Sequence, residues 1–436
     1  MRLRHLLRLA PSAKEVRLPP DTEVTFAPMD ALADGLGGLD TSQTKSFHEL
    51  ASGSYNYFRD GDLLLAKVTP CFENGKKALA EGLAGGMGFA TSEVHVLRPE
   101  VGRIDPRFLL YLLSSEHFRA EGMRGMTGAG GLRRVGEGAI LDHRVEVTDL
   151  PTQKRIAAFL DRETARIDAL IEKKQRLVQL SDERLAGRVA LLFQGQPLDP
   201  DSGHRAPAGF DAAPERWKAT RLGYYLTDLF DGVHVTPTYT DFGTPFLRVT
   251  DISSGTSIDW ESVRRISREE YEEITRRRRA KKGDLLLSKN GTVGIPRIVD
   301  WDEEFAFFVS LAVLRPDARL SAAYLEGFFL SPLAKSQIFD QSRQTSVINL
   351  HLEKIRSLRI SVPPLDVQMK VVKQLRDYSE PAQLLRRKVT SSVDRLREYR
   401  AALITAAVTG QIDVDRFHRK GGTDRTLERI EAEMSP

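Results

Sequence analysis

The longest unbroken pattern in the chain runs from Leu150 to Leu192. Between Thr152 and Ala186 there is neither Pro nor Gly, and apolar residues recur at Ile156, Leu160, Ile167, Leu170, Ile171, Leu177, Val178, Leu185, Leu191 and Leu192. Steps of three and four, sustained this far, predict a helix with one apolar seam that a second helix must cover. About forty residues at ~1.5 Å each make a rod of roughly 60 Å. A second such pattern starts at Val362 and places Val371, Leu375, Tyr378, Ala382, Leu385, Val389, Leu396, Leu403 and Ala407 mostly three and four apart. The two open alike, with Gln153 soon after Pro151 and Gln368 soon after Pro364. Pro381 lacks the N–H that a helix interior needs, and predicts a kink or restart near Glu380.

Elsewhere the periods are shorter. Val24 to Met29 reads as a strand stopped by Pro28, followed by Tyr55-Asn56-Tyr57-Phe58. Arg59-Asp60-Gly61-Asp62 reads as a turn into the apolar run Leu63-Leu64-Leu65-Ala66. Lys67 to Lys77 is a polar loop at that strand's end, and Gly82 to Gly88 a hairpin or flexible turn. Ser92 to Pro99 alternates as a strand does. Pro106 to Phe118 predicts one helix with Phe108, Leu109, Leu112 and Leu113 on one side. Gln194 to Pro214, dense in Pro, Gly and Asp, reads as a linker in which His204 is a solvated side chain.

The segment after the linker repeats the plan of the segment before the first helix. Gly283-Asp284-Leu285-Leu286-Leu287-Ser288-Lys289 lies 222 positions after Gly61-Asp62-Leu63-Leu64-Leu65-Ala66-Lys67. Val313-Leu314-Arg315-Pro316 follows Val96-Leu97-Arg98-Pro99 by 217, Tyr324-Leu325 follows Phe108-Leu109 by 216, and Gln368 follows Gln153 by 215. Conserved order with a slowly drifting offset is the mark of a duplication with small loop changes. The expected fold is therefore mixed α/β (α+β): two similar domains joined by two long antiparallel coiled-coil helices, with pseudo-two-fold symmetry. The expected boundaries are 1–149 and 215–361 for the domains, 150–193 and 362–414 for the helices, 194–214 for the linker and 415–436 for a tail.

Composition narrows the class. In 436 residues, 41% hydrophobic and 28% charged content is that of a globular chain of more than one core. No apolar run approaches the ~20 residues of a membrane span, and the first twenty residues lack a signal-peptide core. One cysteine, Cys71, fits a reducing cytoplasm and excludes an internal disulfide or a multi-cysteine zinc site. Net charge +4 with pI ≈ 9.0 permits an anionic partner. A rod carrying two similar but non-identical domains suits two separated stretches of one duplex DNA.

At this point particular residues resemble a family. GDLLLAKVTPCFENGK at 61–76, LPTQKRIAAFLDRETARIDALI at 150–171 and LREYRAALITAAVTGQIDV at 396–414 are similar to specificity subunits of type I restriction–modification systems. The resemblance covers nearly the whole chain in order. It implies two target-recognition domains, each reading half of a bipartite, asymmetric DNA site. It also implies helices that set the spacing and dock two methyltransferase subunits, with restriction (translocase) subunits added in the full complex. On that reading the chain is non-catalytic and carries no cofactor or metal, while S-adenosylmethionine, ATP and Mg belong to the partner subunits. Three absences agree: there is no Asn/Asp-Pro-Pro-Tyr/Phe motif for a flipped adenine, no Walker sequence, and no nuclease-like Pro-Asp…Glu-x-Lys cluster. Asp161 and Asp168, seven apart on the helix, read as salt-paired or solvated. The alternatives are a stand-alone restriction enzyme or methyltransferase, a coiled-coil scaffold without DNA contact, and the specificity subunit of a related system that cuts beside its site.

Candidate DNA contacts are Lys67, Thr69, Asn74, Lys76 and Lys77 after the duplicated strand, with Lys289, Asn290 and Thr292 at its counterpart. Lys and Arg suit phosphates and guanine edges, and Asn suits adenine. Arg133, Arg134 and the run Arg343-Gln344-Thr345-Ser346 occupy similar places in the two halves and are also candidates. The basic run Arg276 to Arg279 with Lys281-Lys282 follows the acidic Glu269-Glu270-Glu272-Glu273, and reads either as internal pairing or as phosphate contact. Trp260, Trp301, Phe305, Phe307 and Phe308 read as core.

Overall fold

The computed structural model describes residues 1–36, 38–129, 131–194, 219–253, 257–342, 349–419 and 421–432. The predicted linker at 194–214, with His204, and the candidates Arg343, Gln344, Thr345 and Ser346 lie outside the described residues, Gln194 apart. The two predicted long helices are present as Leu150–Gln194 and Leu365–Val408. The chain divides into two compact units, residues 1–175 with 388–436, and residues 176–387, so each unit holds part of both long helices.

In the first unit, one sheet has the strand order Leu7–Leu9, Val94–Pro99, Leu63–Ala66, Lys77–Leu79, all antiparallel. A second sheet runs Thr44–Ser46, Glu23–Ala27, Met87–Ala90, Asn56–Arg59, with its middle pair parallel. Leu63, Leu65 and Leu97 face a core shared with Phe108, Leu109 and Leu112 and with the long helices through Ile156, Leu160, Leu396 and Leu403. Leu64, Val94 and Val96 face the opposite way, onto Ala27, Phe58 and Ala90. Side chains on a strand alternate sides, so a sheet covered on both faces demands apolar residues at every position. This explains the unbroken Leu63–Ala66 run. It also corrects the reading of Ser92 to Pro99 as an alternating strand, because Val94 to Arg98 are all buried.

The second unit builds its first sheet in the same order: Leu226–Asp231, Leu311–Pro316, Leu285–Ser288, Pro296–Ile298. Leu285, Leu287, Ala312 and Leu314 face the helices, and Leu286, Leu311 and Val313 face Phe230, Leu247 and Phe307. Its other sheet differs, with the order Tyr239–Thr240, Arg265–Ile266, Thr244–Leu247, Ala306–Phe307. Three of its strands still match. The parallel pairing of Phe246 with Ala306 and Leu247 with Phe307 repeats that of Phe26 with Phe89 and Ala27 with Ala90. The antiparallel pairing of Thr244–Leu247 with Arg265–Ile266 repeats that of Glu23–Ala27 with Thr44–Ser46, while the fourth strand sits at opposite edges.

Both units show the long helices antiparallel. In the first, Arg400 pairs with Asp168 at 2.9 Å, and Arg155 near the start of the first helix reaches Asp415, just past the end of the second, at 3.7 Å. In the second, Arg386 pairs with Asp182 at 2.5 Å and the Arg188 guanidinium lies over the Tyr378 ring. Asp161 is held by Arg107 and by the Tyr111 hydroxyl, so both helix aspartates are paired. The expected restart at Pro381 is absent: the helix is continuous through it. Leu375 and Tyr378 before the proline pack on the second unit's core, which holds the turn that has lost one hydrogen bond. The predicted helix at Pro106 to Phe118 is two helices, Pro106–Leu112 and Glu116–Arg124. Ser115 caps the second by accepting from the Phe118 N–H, a choice that competes with helix interior. Beyond Val408, the predicted tail forms Val414–Arg419 and Gly422–Ala432, with Leu427 and Ile430 in the first unit's core. Among the described residues no helix is long and apolar enough to cross a membrane.

Candidate nucleic-acid interface

The duplicated Gly-Asp motif is a rigid mount for the loop that follows it. Gly61 and Gly283 sit at φ +87° and +90°, a region that side-chained residues avoid. The turn then folds Asp62 back to accept from the Arg59 N–H at 2.9 Å, and Asp284 to accept from the Lys281 N–H at 2.9 Å. Each carboxylate also takes two hydrogen bonds from an arginine on the neighbouring strand. Arg98 gives Nε and Nη2 to Asp62 at 2.8 and 2.7 Å, and Arg315 gives the same atoms to Asp284 at 2.8 and 2.8 Å. Each paired carboxylate, Asp62 for Arg98 and Asp284 for Arg315, raises the pKa of its guanidinium against the cost of burial.

A second mount is duplicated at the helix starts. Gln153 is fully buried; its Oε1 accepts from the Asp105 N–H, and its Nε2 donates to the carbonyls of Arg103 and Thr148. Gln368, also fully buried, accepts from the Ser321 N–H and donates to Arg319 and Pro363. Asp105 and Ser321 are in turn the N-caps of Pro106–Leu112 and Ala322–Leu330. Each glutamine thus ties the start of a long helix to the helix that follows the sheet.

The first unit gathers four candidates at one strand end. Thr69 N–H donates to the Arg133 carbonyl at 2.9 Å, and its hydroxyl accepts from the Arg133 N–H and donates to the Gly131 carbonyl. Val68 bridges Arg134, and Val135 N–H donates to the Lys67 carbonyl. Lys67 Nζ donates to the Ser92 carbonyl at 2.7 Å, and partial burial lowers its pKa. The exposed Arg134 makes two hydrogen bonds to Glu93, whose carboxyl is held below its usual range by that arginine. Arg133 folds back onto the Met123 and Met126 carbonyls.

The other three stand apart from this group. Asn74 is exposed, and Lys76 donates to the Leu32 carbonyl. Lys77 is buried beside a cavity lined also by Asn74, Arg119 and Arg400, and its pKa is lowered to about 8, first by desolvation and then by those two arginines.

In the second unit the same wiring carries other side chains. Leu350 N–H donates to the Lys289 carbonyl and Asn290 bridges Asn349, as Val135 and Arg134 do in the first unit. Lys289 is buried and pairs with Asp231 at 2.6 Å, while Thr292 is exposed. The amide oxygens of Asn290 and Asn349 are both buried without a donor, and Asn349 was not among the residues singled out from sequence. In the basic run, Arg278 pairs with Asp228, Arg279 with Glu272 and Glu304, and Lys282 with Asp302, while Arg276 and Arg277 are exposed. Trp260, Trp301, Phe305 and Phe307 pack as one aromatic chain in the core, with Phe308 against Phe246.

A family model described as "Type I restriction modification DNA specificity domain" matches residues 237–393. The chain is 38% identical over 115 residues to the type I restriction enzyme EcoEI specificity subunit of Escherichia coli, covering 26% of this chain and 19% of that one. It is 34% identical over 152 residues to the EcoAI specificity subunit of Escherichia coli, covering 35% of this chain and 26% of that one. The matched segments therefore span about a fifth and a quarter of those relatives. Among solved structures, a chain reported under complex assembly and conformational transition of the type I R-M system aligns with a TM-score of 0.66 at 20% identity, covering 93% of this chain and 98% of that one. That likeness shows a shared fold.

Proposed function

We propose, from the premise that residues 237–393 carry a type I restriction modification DNA specificity domain, that the whole chain is a non-catalytic specificity subunit. It reads a two-part, asymmetric DNA site and docks two methyltransferase subunits and restriction (translocase) subunits, which hold S-adenosylmethionine, ATP and Mg. The reading places it in the cytoplasm. The observation that carries it is the pair of sheets with one strand order and one set of mounts, ending in loops of different chemistry. Like mounts with unlike tips suit two domains that meet the same kind of ligand and read different bases.

On this proposal, residues 1–149 and 215–361 are the target-recognition domains. Thr69, Asn74, Arg133, Arg134, Asn290 and Thr292 face the duplex, with Lys67 and Lys76 at its phosphates. Lys77 and Lys289, both buried, hold the loops from beneath.

Co-expression with the neighbouring methyltransferase subunit in an unmethylated host, followed by genome-wide mapping of N6-methyladenine, tests this. The expected result is one motif of two short parts around a fixed gap, which changes when one helical turn is removed from each long helix. A stable complex that leaves the genome unmethylated would overturn it in favour of a scaffold.

A further inference from the structure

His117, Glu121 and His143 form a cluster that no other part of the chain explains. His117 and Glu121 are one turn apart on Glu116–Arg124, and His143 comes from the segment that leads into the first long helix. One ligand atom from each residue lies within 4.8 Å of the other two. His143 Nδ1 is in hydrogen-bond contact with Glu121 Oε2, and His117 Nε2 is 3.9 Å from the same oxygen. His143 is buried, with the Phe118 ring edge-on to it at 5.0 Å, while His117 is exposed. The cluster is therefore anchored at one side and open to solvent at the other.

The duplication supplies an internal control. Residues 216 positions further on are Leu333, Gln337 and Arg359. There the tie between helix and following segment is made by Gln337 alone, which accepts from the Arg359 N–H at 2.7 Å and donates to the Arg359 carbonyl at 2.9 Å. An amide is enough to join these elements. The first unit instead sets two imidazoles and a carboxylate at the same joint, which a structural tie does not require.

We propose that His117 Nε2, Glu121 and His143 Nδ1 bind one divalent transition-metal ion of the zinc type, which braces the first unit where its sheet-side helix meets the approach to the long helix. Two imidazoles and one carboxylate are a set that zinc favours over calcium or magnesium. Bonds of ~2.0–2.2 Å to a shared ion set ligand atoms ~3.3 Å apart. The buried pair must open slightly and the exposed His117 ring must close by rotation. Three protein ligands leave a position for water. The same segment also holds the start of the chain, since Leu3 N–H donates to the His143 carbonyl and Val145 N–H to the Met1 carbonyl.

The test titrates zinc chloride, by calorimetry, into the full-length chain stripped with chelator. Cobalt(II) in its place gives a visible spectrum that reports the ligands directly. One equivalent is expected, with a rise in melting temperature that chelator reverses. His117→Ala and Glu121→Gln should each weaken binding about 10-fold or more, since loss of even an outer partner costs that much at metal sites. Because His117 is exposed, its variant decides the matter even where His143→Ala fails to fold. No binding, or equal binding by wild type and His117→Ala with the same cobalt spectrum, overturns the proposal.

Discussion

The two sheets within each unit differ in how much they share with their counterparts in the other unit. The sheet against the long helices has one strand order in both, one Asp–Arg pair and one glutamine mount. The sheet away from the helices keeps three strands, with one antiparallel and one parallel pairing, but moves its fourth strand to the opposite edge. The difference follows from what each must touch. A sheet pressed between helices and a second sheet is constrained on both faces, so substitutions there are felt as cavities or overpacking. The outer sheet carries loops on a freer surface, where side chains change without unmaking the core.

The largest expected asymmetry between the units comes from their buried ion pairs. Asp62→Ala leaves Arg98, itself buried, without its carboxylate, and should cost about 3–5 kcal/mol in urea unfolding. Asp284→Ala should cost less, because Arg315 is more exposed and also has Asp228 at 3.6 Å. Equal losses would mean that the two mounts are energetically alike despite that second partner.

The glutamines should behave as a matched pair. Gln153→Ala and Gln368→Ala each remove three hydrogen bonds from fully buried amides. Each should cost roughly 2–3 kcal/mol, and the two values should agree within about 0.5 kcal/mol. A marked inequality would show that one of the two joints is slack.

The smallest effect separates the units by pH. His95 is buried against the Val135 carbonyl at 3.0 Å, and desolvation lowers its pKa. As pH falls through about 6.5, the unfolded chain takes up a proton that the folded chain resists, so stability falls with it. In the second unit Ala312 holds that strand position, opposite Leu287 as His95 is opposite Leu65. Hydrogen exchange at pH 7.5 and 5.5 should show protection lost in the first unit's sheet and kept in the second. Equal loss in both would remove His95 as the cause.

Much of the fold is legible in the sequence because period and duplication are local signals. Steps of three and four identify the long helices, and the repeated Gly-Asp-Leu-Leu-Leu identifies the central strands. Long-range choices are not legible. Ser115 as a cap and the packing that carries a helix through Pro381 depend on neighbours far along the chain. So do the candidate contacts. Lys77 and Lys289 look like loop cations in sequence, yet both are buried, Lys77 as the first residue of the strand Lys77–Leu79 and Lys289 through its pair with the distant Asp231. The His117–Glu121 spacing is visible on a helix, but nothing local brings His143 to it.

The first unit takes its core from both ends of the polypeptide, for Leu396, Leu403, Leu427 and Ile430 pack with Leu3, Leu6 and Leu7. The second unit, residues 176–387, is one continuous stretch. On the ribosome the N-terminal sheets therefore emerge first and finish last. At ~5–20 residues per second, roughly 10–40 s of synthesis separate residue 175 from residue 388. For that interval the apolar seam at Ile156 and Leu160 has no covering helix, and the nascent chain is open to chaperones, proteases and early aggregation.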